Sequence, residues 1–147
     1  MSIRDILDNQ TLAVSLLAWM VAQLLKVVID SIKGRRLDFT NWASAGGMPS
    51  SHSALVAALA TAIGLRNGFA SDWFAIALIF AMVVMYDAAG VRRAASAQAR
   101  ILNQVIDELF QGHPISEERL REFLGHTPVE VIAGAAIGVV FAWWLIS

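Results

Sequence analysis

The stretch GGMPSSHSALVAALATAIGL, residues 46 to 65, decides the fold. A glycine pair and Pro49 read as a turn. Ser50 or Ser51 reads as a helix N-cap. From Ala54 to Leu65 the chain is apolar but short and rich in alanine. A membrane-spanning helix needs about 20 apolar residues. This segment reaches that length only if the helix starts at Ser51 to Ser53 and continues towards Asn67. Ala54, Ala58 and Ala62 fall on one helical stripe. Small residues let helix backbones approach closely in lipid, where apolar surface alone gives no drive to associate. The segment therefore reads as a packed helix inside a bundle.

Three longer apolar segments surround it, at about Leu12 to Ile32, Trp73 to Val91 and Val129 to Ile146. The last holds Gly134 and Gly138 in a GxxxG arrangement, so the second and fourth helices are expected at the centre. Trp143 and Trp144 close it as an interfacial pair. The composition agrees: 57% of the 147 residues are hydrophobic and 16% charged, with a mean hydropathy of +0.60. Soluble domains carry about 25% charged residues. The expectation is an all-α integral membrane protein, one domain over residues 1–147, with about four transmembrane helices. An amphipathic helix is expected between the third and fourth. Its stripe is Ile101, Leu102, Val105, Ile106, Leu109 and Phe110. A short helix capped by Ser116 and ended by Gly125 should follow. The absence of cysteine excludes disulfides, thiolate zinc sites and thiol nucleophiles. A net charge of −1 gives no basic footprint for nucleic acid. The first ten residues mix Arg4 with Asp5 and Asp8 and do not read as a cleaved leader.

Alternation of four spans brings the end of the first, the start of the second, the end of the third and the start of the fourth to one face. That face collects His52, His126, Lys26, Lys33, Arg35, Arg36, Arg92, Arg93, Asp87 and Glu130. Helix N-termini offer unpaired N–H groups and a positive dipole end, which favour anions. Ser50, Ser51, His52 and His126 all lie at such N-termini. The constellation suits phosphate. Each member also has a structural reading. The serines are N-caps, the arginines are positive-inside residues, and Lys26 is a snorkelling side chain. Thr127-Pro128-Val129-Glu130 is a capping box. Tyr86 and Asp87 read as a structural pair of positions, with Lys26 as the expected partner of Asp87.

PSSHS followed downstream by GHTPVEVIAG resembles the type 2 phosphatidic acid phosphatase (PAP2) superfamily, which includes the lipid phosphate phosphatases and vanadium haloperoxidases. With YDAAGVRRAASAQARILNQ added, the chain looks most like the superfamily's divergent branch of small membrane proteins. The likeness covers nearly everything from Lys26 onward. It implies His126 as nucleophile, His52 as general acid, and Glu130 where the superfamily has aspartate. Ser51 stands in the glycine position after Pro49 and Ser50. Ser50, Ser51, Lys26, Arg35 or Arg36, and Arg92 or Arg93 are implied as phosphate-binding. The spacing of the first and third motifs departs from the superfamily's. The implied function is metal-independent hydrolysis of a lipid phosphomonoester or pyrophosphate through a phosphohistidine, with no cofactor. The implied partners are the lipid phosphate and membrane lipids, with a homo-oligomer left open. The alternative is a non-catalytic anionic-lipid or phosphate-binding protein that keeps the pocket. Glu130 lies four residues from His126, an offset that suits orienting the imidazole. The same offset suits the capping box, and the two uses compete for one carboxylate. The resemblance implies a bacterial inner-membrane protein, and the arginine count expects its motif face to be cytoplasmic.

Overall fold

A computed structural model describes residue 6 and residues 8–32, 47–109 and 126–147. Among the described residues the chain forms four long helices: α1 (Gln10–Ile32), α2 (Ser51–Asn67), α3 (Asp72–Leu109) and α4 (Pro128–Ile146). Three of them are long and apolar enough to cross a membrane: α1, residues Asp72–Ala89 of α3, and α4. The fourth, α2, has 17 residues and extends about 26 Å at 1.5 Å per residue.

The shortest helix holds the centre, and α1, α3 and α4 pack around it. Its alanine stripe is fully enclosed at Ala54, Ala58 and Ala62. Ala58 joins Val14 and Ala18 of α1 and Ala142 of α4 in one core cluster. Val56 and Ala60 join Ala77 and Ala81 of α3 in another. Both clusters consist of alanine and valine, so the helices are held by close backbone approach. Two buried hydroxyls are satisfied inside their own helices. Thr61 Oγ1 donates to the Ala57 carbonyl at 2.8 Å, and Ser15 Oγ to that of Thr11 at 2.7 Å.

The α2–α4 contact is the tightest. A Cβ added to Gly134 would lie 2.1 Å from the Ser50 carbonyl oxygen, and one on Gly138 would lie 2.3 Å from that of Ala54. The pairs Ser50–Gly134 and Ala54–Gly138 advance together, so α2 and α4 run parallel. Their N-termini open on the same face. While α2 is enclosed, α4 keeps an exposed side with Ile132, Val140 and Trp144. The expectation of two central helices thus holds for α2 alone.

The turn between α2 and α3 is built by Gly68 and Ser71. Gly68 adopts φ 87°, a left-handed conformation that glycine tolerates. Ser71 caps α3 by accepting the Phe74 N–H at 3.3 Å. Phe69 stacks edge-on against Phe74, with ring centroids 5.1 Å apart. Arg66 at the end of α2 donates to Gln10 at the start of α1.

The third helix differs from expectation. It has 38 residues, about 57 Å, and runs unbroken through Arg92 and Arg93 into the amphipathic stripe. Nothing between Val91 and Leu109 breaks a helix: that stretch contains neither proline nor glycine. The stripe is the distal part of the spanning helix and not a separate element. The expected short helix at Ser116 to Gly125 lies outside the described residues.

Candidate functional site

The site is built where the N-termini of α2 and α4 meet. Ser50 is the N-cap of α2 and is completely buried. Its Oγ accepts the Ser53 N–H at 3.3 Å and the Ser53 hydroxyl at 3.0 Å. Its own N–H donates to the Glu130 carbonyl at 3.0 Å. The capping reading of Ser50 therefore describes its hydroxyl, and its amide ties α2 to the first turn of α4. Ser51 is buried next to it. His52, the second residue of α2, is exposed.

On the other helix, Thr127 is the N-cap of α4, with Pro128 at the first helical position. Thr127 Oγ1 accepts the Glu130 N–H at 3.3 Å, and Glu130 Oε2 accepts the Thr127 N–H at 3.0 Å. This is a complete capping box. The same Oε2 lies 3.1 Å from Nδ1 of His126. The two uses of Glu130 thus do not compete. A carboxylate oxygen carries two lone pairs, and His126 immediately precedes the N-cap, so both donors reach one oxygen. An ionised carboxylate only accepts, which assigns the hydrogen to Nδ1. In the neutral ring the lone pair then lies on Nε2.

His126 is held from a second side. Its backbone N–H donates to the Ala88 carbonyl of α3 at 3.3 Å, and its side chain is 2% exposed. Lys26 is buried in the last part of α1. A Cβ on Gly47 would lie 2.9 Å from Lys26 Cε and 3.6 Å from Asp30 Oδ2. The loop before α2 therefore lies directly on these two side chains, one helical turn apart on α1. Gly47 has φ 97°, a conformation that favours glycine.

The structure thus brings Ser50, His126 and Glu130 together through hydrogen bonds, with Ser51 buried beside Ser50. It sets Lys26 under the loop that leads into α2. It does not join Asp87 to Lys26. Asp87 and Tyr86 are exposed on α3, whereas Lys26 is 7% exposed. No bond between Asp87 and Lys26 occurs among the described residues. Arg92 and Arg93 lie on the backbone of α3, with side chains outside the description, and Arg35 and Arg36 fall outside the described residues. Among the described residues no cluster of three or more His, Cys, Asp or Glu could hold a metal ion. Two participants were not singled out from sequence. Asp30 carries the signal of i,i+4 spacing from Lys26. The Ala88 carbonyl carries none, because a main-chain acceptor leaves no mark on residue type.

A family model described as the divergent PAP2 family matches residues 7–141. An uncharacterized membrane protein of Bacillus subtilis (strain 168), YuiD, is 40% identical over 146 residues, which cover 92% of each chain. No solved structure matches.

Proposed function

This chain belongs to the divergent PAP2 family, and from that premise we propose that it is a membrane-embedded phosphatase of lipid phosphomonoesters or pyrophosphates. The observation that carries this reading is the 3.1 Å contact of His126 Nδ1 with Glu130 Oε2 at a helix N-terminus. With the hydrogen on Nδ1 the ring lone pair is that of Nε2, and the carboxylate would support imidazolium charge, which is what a histidine nucleophile needs.

In this mechanism His126 Nε2 attacks phosphorus, forming the P–N bond as the ester P–O bond breaks. Protonated His52 gives its proton to the departing alkoxide. Neutral His52 then takes a proton from water, whose oxygen attacks phosphorus and breaks the P–N bond. Inorganic phosphate leaves, and both histidines return to their starting states. Glu130 keeps the Nδ1 hydrogen throughout. The N-termini of α2 and α4, with Lys26 and the arginines of the motif face, supply positive potential to the phosphoryl oxygens.

The test is phosphate release by the detergent-purified protein from phosphatidate, phosphatidylglycerophosphate and polyprenyl phosphates. His126→Ala is expected to abolish release. His52→Ala should lower it by about 10²- to 10⁴-fold. Full activity of His126→Ala would sink the nucleophile assignment. Loss on chelation would point to a metal mechanism.

The burial of the His126 side chain favours a second reading, binding without turnover. Under it the protein holds phosphate, vanadate or anionic lipid and releases no product from any of these substrates.

A further inference from the structure

The outward stripe of α3 consists of Trp73, Ile76, Phe80, Val83 and Asp87, at alternating spacings of three and four. All five are exposed, as are Ile79, Met82 and Tyr86 beside them. The stripe is bounded by exposed carboxylates at both ends, Asp72 and Asp87. Just inside these lie Trp73 and Tyr86, 67% and 80% exposed. Tryptophan and tyrosine in such positions sit at the head-group level. Residues 73 to 86 extend about 21 Å along a helix, against a hydrocarbon core of about 30 Å. Tilting would shorten the reach further. An aspartate side chain is too short to climb to the interface as lysine does. No hydrogen bond or ion pair to Asp87 is found among the described residues. On the other side of the bundle, α1 exposes apolar side chains from Leu12 to Ile32, about 30 Å. The apolar belt is therefore full height at α1 and about a third shorter at α3.

We propose that the α3 face is a lipid-binding surface for a thinned bilayer, one that draws the head groups inward at Asp87 and selects lipids with short acyl chains. A short hydrophobic surface is met by bilayer thinning or by association with another protein. The carboxylate on the outward stripe favours thinning, because it demands head groups or water at its own depth. The consequence for the site is positional. His126 donates its backbone N–H to Ala88, the residue after Asp87. Lipid head groups along α3 thus stand level with His126. The inference concerns the membrane alone and does not depend on catalysis.

The experiment reconstitutes the intact protein in phosphatidylcholine vesicles with monounsaturated chains of fourteen, eighteen or twenty-two carbons. Relative lipid affinity is read from quenching of tryptophan fluorescence by brominated lipids of each length. The protein should prefer fourteen-carbon over eighteen-carbon lipid by about threefold. Asp87→Leu extends the apolar run to Val91, about 28 Å, and should move the optimum to eighteen carbons. Asp87→Asn should move it less, and serves should the leucine variant not fold. An optimum at eighteen carbons or longer for the unaltered protein overturns the proposal. So does an unchanged profile in a folded Asp87→Leu. Efficient disulfide cross-linking of Val83→Cys between two copies, in a chain with no other cysteine, would make this face a protein interface and overturn it equally.

Discussion

Glu130 holds two donors on one oxygen, and substitution can separate them. Glutamine keeps a side-chain oxygen for the Thr127 N–H and so preserves the capping box. It removes the negative charge beside His126. Glu130→Gln should therefore unfold within about 1 kcal/mol of the unaltered protein, while phosphate release falls at least about tenfold. Glu130→Ala should lose both stability, by about 1 kcal/mol, and release. Thermal unfolding in detergent beside the phosphatase assay reads the two effects separately. Equal release by the glutamine variant and the unaltered protein would show that Glu130 acts only as a cap. The sequence displays the spacing of His126, Thr127 and Glu130. It does not display that one oxygen serves two donors, because that depends on the ring lying over the N-cap amide.

At the scale of helices, the GxxxG pair decides how closely α4 approaches α2. The atoms that an added methyl would strike are main-chain oxygens of Ser50 and Ala54, which cannot turn aside as a flexible side chain can. Gly134→Ala and Gly138→Ala should each cost at least about 2 kcal/mol, the range of overpacked cores. The loss would appear in thermal unfolding or in the denaturant midpoint. Gly134→Ala should also lower phosphate release, since it displaces the Ser50 turn that precedes His52. A lower melting temperature for Gly68→Ala than for either helix variant would contradict this ranking, because an alanine there meets only the strain of φ 87° and no atom within 4 Å of its Cβ. The packing of α2 was legible from its alanine stripe, and the close approach of α4 from its GxxxG. The continuity of α3 was not. A change from uniformly apolar to amphipathic composition marks where the surroundings of a helix change, and a helix continues across that point unless something breaks it.

For the whole molecule, the remaining expectation concerns orientation. Lys33, Arg35, Arg36, Arg92, Arg93, Arg100, Arg119 and Arg121 belong to the motif side of the sequence, against Arg4 and Arg66 on the other. The bias expects the motif face in the cytoplasm. A cysteine at Gly68 should then react with an impermeant reagent in intact cells, and one at Gly112 should not. The reverse pattern would place the site outside. The shared face of the α2 and α4 N-termini was legible in the sequence, because alternation of spans follows from length and hydropathy. The short apolar belt of α3 was not, since it depends on which side of the helix Asp87 faces.

The enclosure of α2 has a consequence for what this helix can carry. Lipid never has to solvate this helix, because its neighbours do. It can therefore bury the hydroxyls of Ser51, Ser53 and Thr61. At 17 residues it stands at the lower limit of a spanning helix. In the finished bundle α1, α3 and α4 all pack against it, α3 being joined to it by the Gly68 turn and the Phe69–Phe74 contact. The sequence freedom along α2 is thus a freedom granted by its neighbours.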